Sequence, residues 1–263
     1  YNGGSYPFGY RNIFFLNNEI GWVCSYQEMK KTTDGGESWI DLSFPNLFDG
    51  VTSMIFIDEN IGWAAAASSE LYKTTDGGNS WTLKSTETIT SVYFIDNNNG
   101  WAVGSGIFKS TDGGENWVQK STFSGSSVKF VDNSIGMCLG GGGVSVSTDG
   151  GENWASKNGP TLQSINFTNS NTVSVYTSEG TLYKTTNLGD TWEAPNTGLG
   201  SGEEAFFVNE YTGWVGGGLD GTLFKYSVEP LEPPSWSNEI TIEDAGGTEA
   251  SQVLTFGQHR DAT

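Results

Sequence analysis

Histidine occurs once in the 263 residues, as His259, and arginine twice, as Arg11 and Arg260. This scarcity removes whole classes of chemistry. Over most of the chain no Ser–His or Cys–His couple can form, and no histidine-based metal site. A carboxylate clamp of several guanidinium forks is equally out of reach. Lysine and arginine total 12 against 31 aspartates and glutamates, giving a net charge of −19. Without a basic footprint, nucleic acid and anionic membrane surfaces are disfavoured partners. The acidity suits solubility in a salty or extracellular medium. The two cysteines, Cys24 and Cys138, make neither a metal-ligand pattern nor a disulfide framework. Both are expected as buried free thiols. No run of about 18 apolar residues is present, so no membrane-spanning helix is expected. Sustained helical periodicity with caps is missing too.

Glycine is abundant by contrast, at 37 residues, and ten tryptophans contribute to an aromatic content of 13%. Turn formers mixed with aromatic and β-branched residues point to many short strands. The chain opens on Tyr1 rather than Met, so an excerpt or processed form is expected.

Two phrases recur. "KTTDGGESW" (31–39) returns as "KTTDGGNSW" (73–81), "KSTDGGENW" (109–117), "VSTDGGENW" (146–154) and "KTTNLGDTW" (184–192). The closing tryptophans lie 42, 36, 37 and 38 residues apart. "FFLNNEIGW", ending at Trp22, returns at Trp63, Trp101, Met137, Val173 and Trp214. This makes six repeats over roughly residues 10–226, the last without the Asp/Trp phrase. Each repeat reads as four short strands joined by tight turns, an antiparallel meander. One such sheet cannot bury both faces alone, and stacking neighbours around an axis buries them. The expected fold is therefore all-β: a β-propeller of six four-stranded blades, seven if residues precede Tyr1. The last blade lacks an outer strand, and one from near the N-terminus is expected to supply it.

The Asp/Trp phrase has a structural reading. Asp34, Asp76, Asp112 and Asp149 can each accept backbone N–H bonds within their own turn, and Asn187 can do so in the fifth copy. Gly36, Gly78, Gly114, Gly151 and Gly189 supply positive φ. Trp39, Trp81, Trp117, Trp154 and Trp192 are expected to pack between blades. The "DENIG", "DNNNG" and "DNSIG" clusters (from 58, 96 and 132) read as hairpin turns, with Ca²⁺ as the alternative. No cofactor is expected.

This pattern resembles the Asp-box, or BNR repeat, of sialidases, some glycoside hydrolases, sortilin-type receptors and photosystem II assembly factors. The resemblance covers about four fifths of the chain. Sialidases hold the substrate carboxylate with three arginines, and only Arg11 lies in the repeats here. The phrase "GW-x-x-G" followed by "TTDGG-x-SW" is most similar to the photosystem II assembly-factor branch, which implies a non-enzymatic propeller. The arginine-rich patch of that branch is missing, so photosystem partnership is not implied.

Near Ser227 the repeats stop. Residues 227–237 read as a proline-rich linker, and residues 238–263 as the start of a small C-terminal β-domain. That tail resembles secreted proteins of the Bacteroidetes–Ignavibacteria group that leave through type IX secretion, which implies an extracellular or cell-surface location. The leading expectation is a non-enzymatic binding or structural protein. Its partner would be an extracellular protein, a glycan or further copies of the chain. The off-pattern loops 41–50, with Phe44 and Phe48, and 196–204, with Glu203 and Glu204, are the candidate contacts. The rival is a glycoside hydrolase using two off-pattern acids among Asp49, Glu70, Glu87, Glu203 and Glu204.

Overall fold

The computed structural model describes residues 12–25, 28–45, 50–66, 70–85, 87–140, 143–160, 164–176, 181–194, 204–209, 212–216, 223–227, 238–244 and 252–256. The strands follow the repeats. The first sheet holds β1 (Asn12–Phe15), β2 (Gly21–Cys24), β3 (Met29–Thr32) and β4 (Ile40–Leu42). The second holds β5 (Val51–Phe56), β6 (Gly62–Ala66), β7 (Glu70–Thr74) and β8 (Thr82–Ser85). The third holds β9 (Ile89–Phe94), β10 (Gly100–Gly104), β11 (Ile107–Ser110) and β12 (Val118–Ser121). The fourth holds β13 (Gly125–Phe130), β14 (Gly136–Gly140), β15 (Gly143–Ser147) and β16 (Ala155–Asn158). The fifth has β17 (Ser164–Phe167), β18 (Val173–Tyr176) and β19 (Leu182–Thr185), with a single bridge from Lys184 to Glu193 at its outer edge.

The sixth sheet is of another make. It runs β20 (Glu204–Asn209), β21 (Thr212–Gly216), β22 (Leu223–Ser227), β23 (Asn238–Asp244) and β24 (Gln252–Phe256). The repeat thus builds five blades, not six or seven. The sixth repeat has no Asp/Trp hairpin to fold a fourth strand back onto β22. The edge of β22 pairs instead with β23 from the tail, Phe224 opposite Asp244. The strand expected there from the N-terminal side does not occupy it. By contacts the chain divides into two compact units, 1–141 with 145–156, and 142–144 with 157–263.

Within the first unit, β1, β5, β9 and β13 lie side by side. They are joined by side chains rather than by a ladder. Ser53 Oγ donates to the Val92 carbonyl at 3.3 Å and accepts the Val92 N–H at 3.2 Å. Asn12 Nδ2 donates to the Val51 carbonyl at 2.7 Å. β5, β9 and β13 each shift register against the next strand, leaving Thr52, Thr90 and Ser126 as the extra residue. A hydroxyl suits that bulge, because it returns a hydrogen bond to the partner strand. Thr52 reaches the Ala65 carbonyl, Thr90 that of Val103 and Ser126 that of Leu139, at 3.0–3.4 Å.

The core lies between sheets and is aromatic. Trp22, Trp63 and Trp101 are essentially fully buried. Each stacks at 3.5–3.6 Å on a phenylalanine of the following sheet: Phe56, Phe94 and Phe130. That phenylalanine lies across the glycine paired with it in its own sheet. A Cβ on Gly62, Gly100 or Gly136 would sit 2.3–2.4 Å from the ring. The glycine at this position in these three repeats is therefore there to make room for a ring.

Candidate functional site

The Asp/Trp phrase closes the hairpin between the third and fourth strands. The hydroxyls of Thr32, Thr74, Ser110, Ser147 and Thr185 donate to the Asp or Asn two residues on, at 2.7–2.9 Å. The same hydroxyls accept the N–H of Gly36, Gly78, Gly114, Gly151 and Gly189 at 2.7–2.9 Å. Oδ1 of Asp34, Asp76, Asp112, Asp149 and Asn187 accepts a backbone N–H four residues on, at 2.9 Å. The glycines sit at φ 81–97°, where a Cβ would be strained.

The tryptophan that ends the phrase does less sealing than expected. Trp39, Trp81, Trp117 and Trp154 are only partly buried, and their Nε1 atoms donate at 3.1 Å to carbonyls of their own turns. Trp81, Trp117 and Trp154 meet a phenylalanine of their own sheet edge-on, at 5.8–6.0 Å. The link between neighbouring sheets belongs chiefly to the other tryptophans. Trp22 Nε1 donates to the Gly77 carbonyl at 2.9 Å, Trp63 to Gly113 and Trp101 to Gly150 at 3.1 Å. Lysines add a second link. Lys73 and Lys84 both pair with Glu115, and Lys109 and Lys120 with Glu152. These glutamates are about half exposed, so each pair is worth roughly 0–1 kcal/mol.

The turns between first and second strands spend their oxygens on backbone. Oδ1 of Asp58, Asp96 and Asp132 each accepts two N–H bonds at 2.7–2.8 Å. Among the described residues no group of three or more His, Cys, Asp or Glu could hold a metal ion. Cys24 and Cys138 are free and buried, on β2 and β14. Burial pushes the Cys24 thiol up to about 12 and raises that of Cys138 as well.

Hydrogen bonds hold the box carboxyls down. Ser38 leads for Asp34, the Asn116 amide for Asp112 and the Asn153 N–H for Asp149, each at about 2. Asp76 is lowered too, mainly by Ser80. A carboxyl depressed in the folded state contributes stability above its unfolded value and loses it as pH falls through the folded value. Acid unfolding should therefore set in below about pH 4 and continue towards pH 2. Circular dichroism against pH checks this, and a midpoint above pH 4.5 would contradict it.

Of the candidate contacts, Phe44 falls elsewhere than expected. Phe44 is buried, 5.2 Å from the rings of Tyr72 and Trp81. It is a core residue of the link between β4 and β5 and not an exposed contact. Phe48, Asp49 and Glu203 lie outside the described residues, and Glu204 opens β20. Glu70 accepts the Tyr72 hydroxyl at 2.7 Å, and Glu87 is exposed.

An open depression of about 530 Å³ lies where β5 and β9 end. Phe56, Ile57, Phe94 and Ile95 line it together with Asp96, Asn97 and Asn98, and the two phenylalanines are almost wholly buried. Asp96 is held ionised, chiefly by the Asn99 side chain. The sequence marks Asp96, Asn97 and Asn98 only as a hairpin turn, because they belong to the repeated phrase. The one signal was the run Asn97–Asn99, where other repeats mix residue types.

Residues 82–205 match the family described as photosynthesis system II assembly factor YCF48. No curated protein matches the chain. Among solved structures, a YCF48 bound to a D1 peptide is similar at TM-score 0.66 and 16% identity, covering 98% of both chains. YCF48 from Cyanidioschyzon merolae gives 0.62 and 19%, covering 80% of this chain and 77% of that one. An ancestral GH74 enzyme also gives 0.62 and 19%, over 95% of this chain but 36% of the enzyme. Together with the sheets above, these likenesses make the chain a BNR-type β-propeller.

Proposed function

We propose that the chain is a non-enzymatic propeller that binds a protein segment, with the depression at the ends of β5 and β9 as its contact. The observation that carries this reading is an open hollow with a mainly polar surface, where Asp96, Asn97 and Asn98 stand beside the partly buried Ile57 and Ile95. Such a surface suits a segment that inserts an aliphatic side chain and offers lysine or arginine to the rim. The family match supports a protein partner, since the matched family is one of assembly factors. The charge of −19 favours a cationic one. An extracellular or cell-surface location belongs to the same reading and rests on the tail.

Random 12-residue peptides displayed on phage and selected against the chain test the proposal. Enriched peptides should be basic with one aliphatic anchor. Ile95→Asn should weaken them about tenfold, the cost of about 1.4 kcal/mol of lost apolar contact. Asp76→Ala should lower the melting temperature and leave the affinity of the folded fraction unchanged. Binding or hydrolysis of a polysaccharide from a parallel panel, with no peptide enriched, would favour the hydrolase reading instead.

A further inference from the structure

The repeating hardware fails together in one stretch. In the fifth copy of the box, Asn187 replaces the aspartate and Leu188 the first glycine. Leu188 keeps the glycine's left-handed backbone, φ 54°, and is the only described non-glycine residue to do so. Its N–H reaches the Asn171 carbonyl at 3.4 Å, where the glycines of the other copies make the same bond at 2.7–2.9 Å. Trp192 Nε1 is buried without a partner, although the four other box tryptophans each have one. Ser164 Oγ is buried and unpaired in β17, as Ser145 Oγ is in β15 of the first unit. Val173 and Ser174 stand where other repeats have Gly–Trp, and Phe167 is left partly exposed opposite Val173. Lys157 compensates in part, bonding the Leu188 carbonyl at 3.0 Å and pairing with Asp190 at 2.8 Å. All of these residues except Ser145 belong to the second compact unit, which alone combines the strained Leu188, the lost tryptophan and two of the three unpaired atoms.

A strained backbone and buried polar atoms without partners both lower local stability. The first unit has three intact Trp–Phe stacks with their Trp–carbonyl bonds. We infer that the chain opens in two steps, the second unit unfolding locally while the first remains folded. Proteins open in contiguous cooperative units whose free energies differ, and interacting segments come from the weaker ones. The fifth blade is thus a built-in opening point, sensitive to protease and able to respond to a partner independently of the first four.

Native-state hydrogen exchange on the full chain tests this. The amides of Ile165, Val175 and Leu182 should exchange at least about a hundredfold faster than those of Ala64, Val92 and Ala102. Asn187→Asp with Leu188→Gly rebuilds the box and should slow the first set about fivefold, leaving the second set unchanged. Protection equal within about threefold across both sets, or a variant that slows both alike, would overturn the inference.

Discussion

Trp63→Ala should cost the first compact unit about 3–5 kcal/mol, the range for emptying a buried aromatic site. The ring is fully buried and stacked on Phe94 at 3.5 Å with an interplanar angle of 7°. An aromatic side chain buries 150–250 Å², so at about 25 cal/mol per Å² the transfer term alone is about 4–6 kcal/mol before relaxation. Truncation also strips the donor from the Gly113 carbonyl and leaves Lys73, now 5.5 Å from the ring centroid, without its aromatic face. Trp63→Phe separates the terms. It keeps a ring over Phe94 and loses the N–H, so about 1–2 kcal/mol is expected from the unpaired carbonyl.

The comparison that decides the matter is Trp117→Ala. Trp117 is only partly buried, donates within its own turn and meets Phe94 edge-on at 5.8 Å. It should cost about half as much as Trp63→Ala. Urea unfolding, read on the first unit with m-values compared, gives both numbers. Equal losses would mean that the box tryptophan carries the seam after all.

The repeat made strands, turns and blade class legible, because a period of about 38 residues with two fixed phrases leaves few architectures. The Asp turn was legible too, since an Asx lock is a local bond between residues two to four apart. What sequence could not supply was which aromatic faces which neighbour. Trp22 and Phe56 are 34 positions apart and meet only through sheet stacking. Phe44 looked exposed because its loop breaks the pattern, yet it fills space beside Tyr72. The depression escaped notice for the opposite reason. Its lining repeats, and repetition reads as structure.

Gly100→Ala should lose about 2–3 kcal/mol, although the same change at an ordinary φ usually gains about 0.4–1 kcal/mol by stiffening the unfolded chain. Gly100 is not in the left-handed region, so backbone strain plays no part. The obstacle is the Phe94 ring, with Cε1 and Cζ 2.3 Å from the new methyl. The ring cannot shift without breaking its packing: Trp63 stacks on it at 3.5 Å and Trp117 meets it edge-on at 5.8 Å. Combining Gly100→Ala with Phe94→Leu should therefore recover most of the loss assigned to the methyl, a coupling of about 2 kcal/mol. Gly113→Ala supplies the contrast. There φ is +72° and a Cβ would meet the Asn97 carbonyl at 2.7 Å, so the cost is backbone strain and a backbone clash, which Phe94→Leu should not relieve. The fifth blade already carries a version of the exchange, with Val173 at the glycine position and Phe167 partly exposed opposite it. A cycle with no coupling at Gly100 would mean that the glycine serves the strand and not the ring.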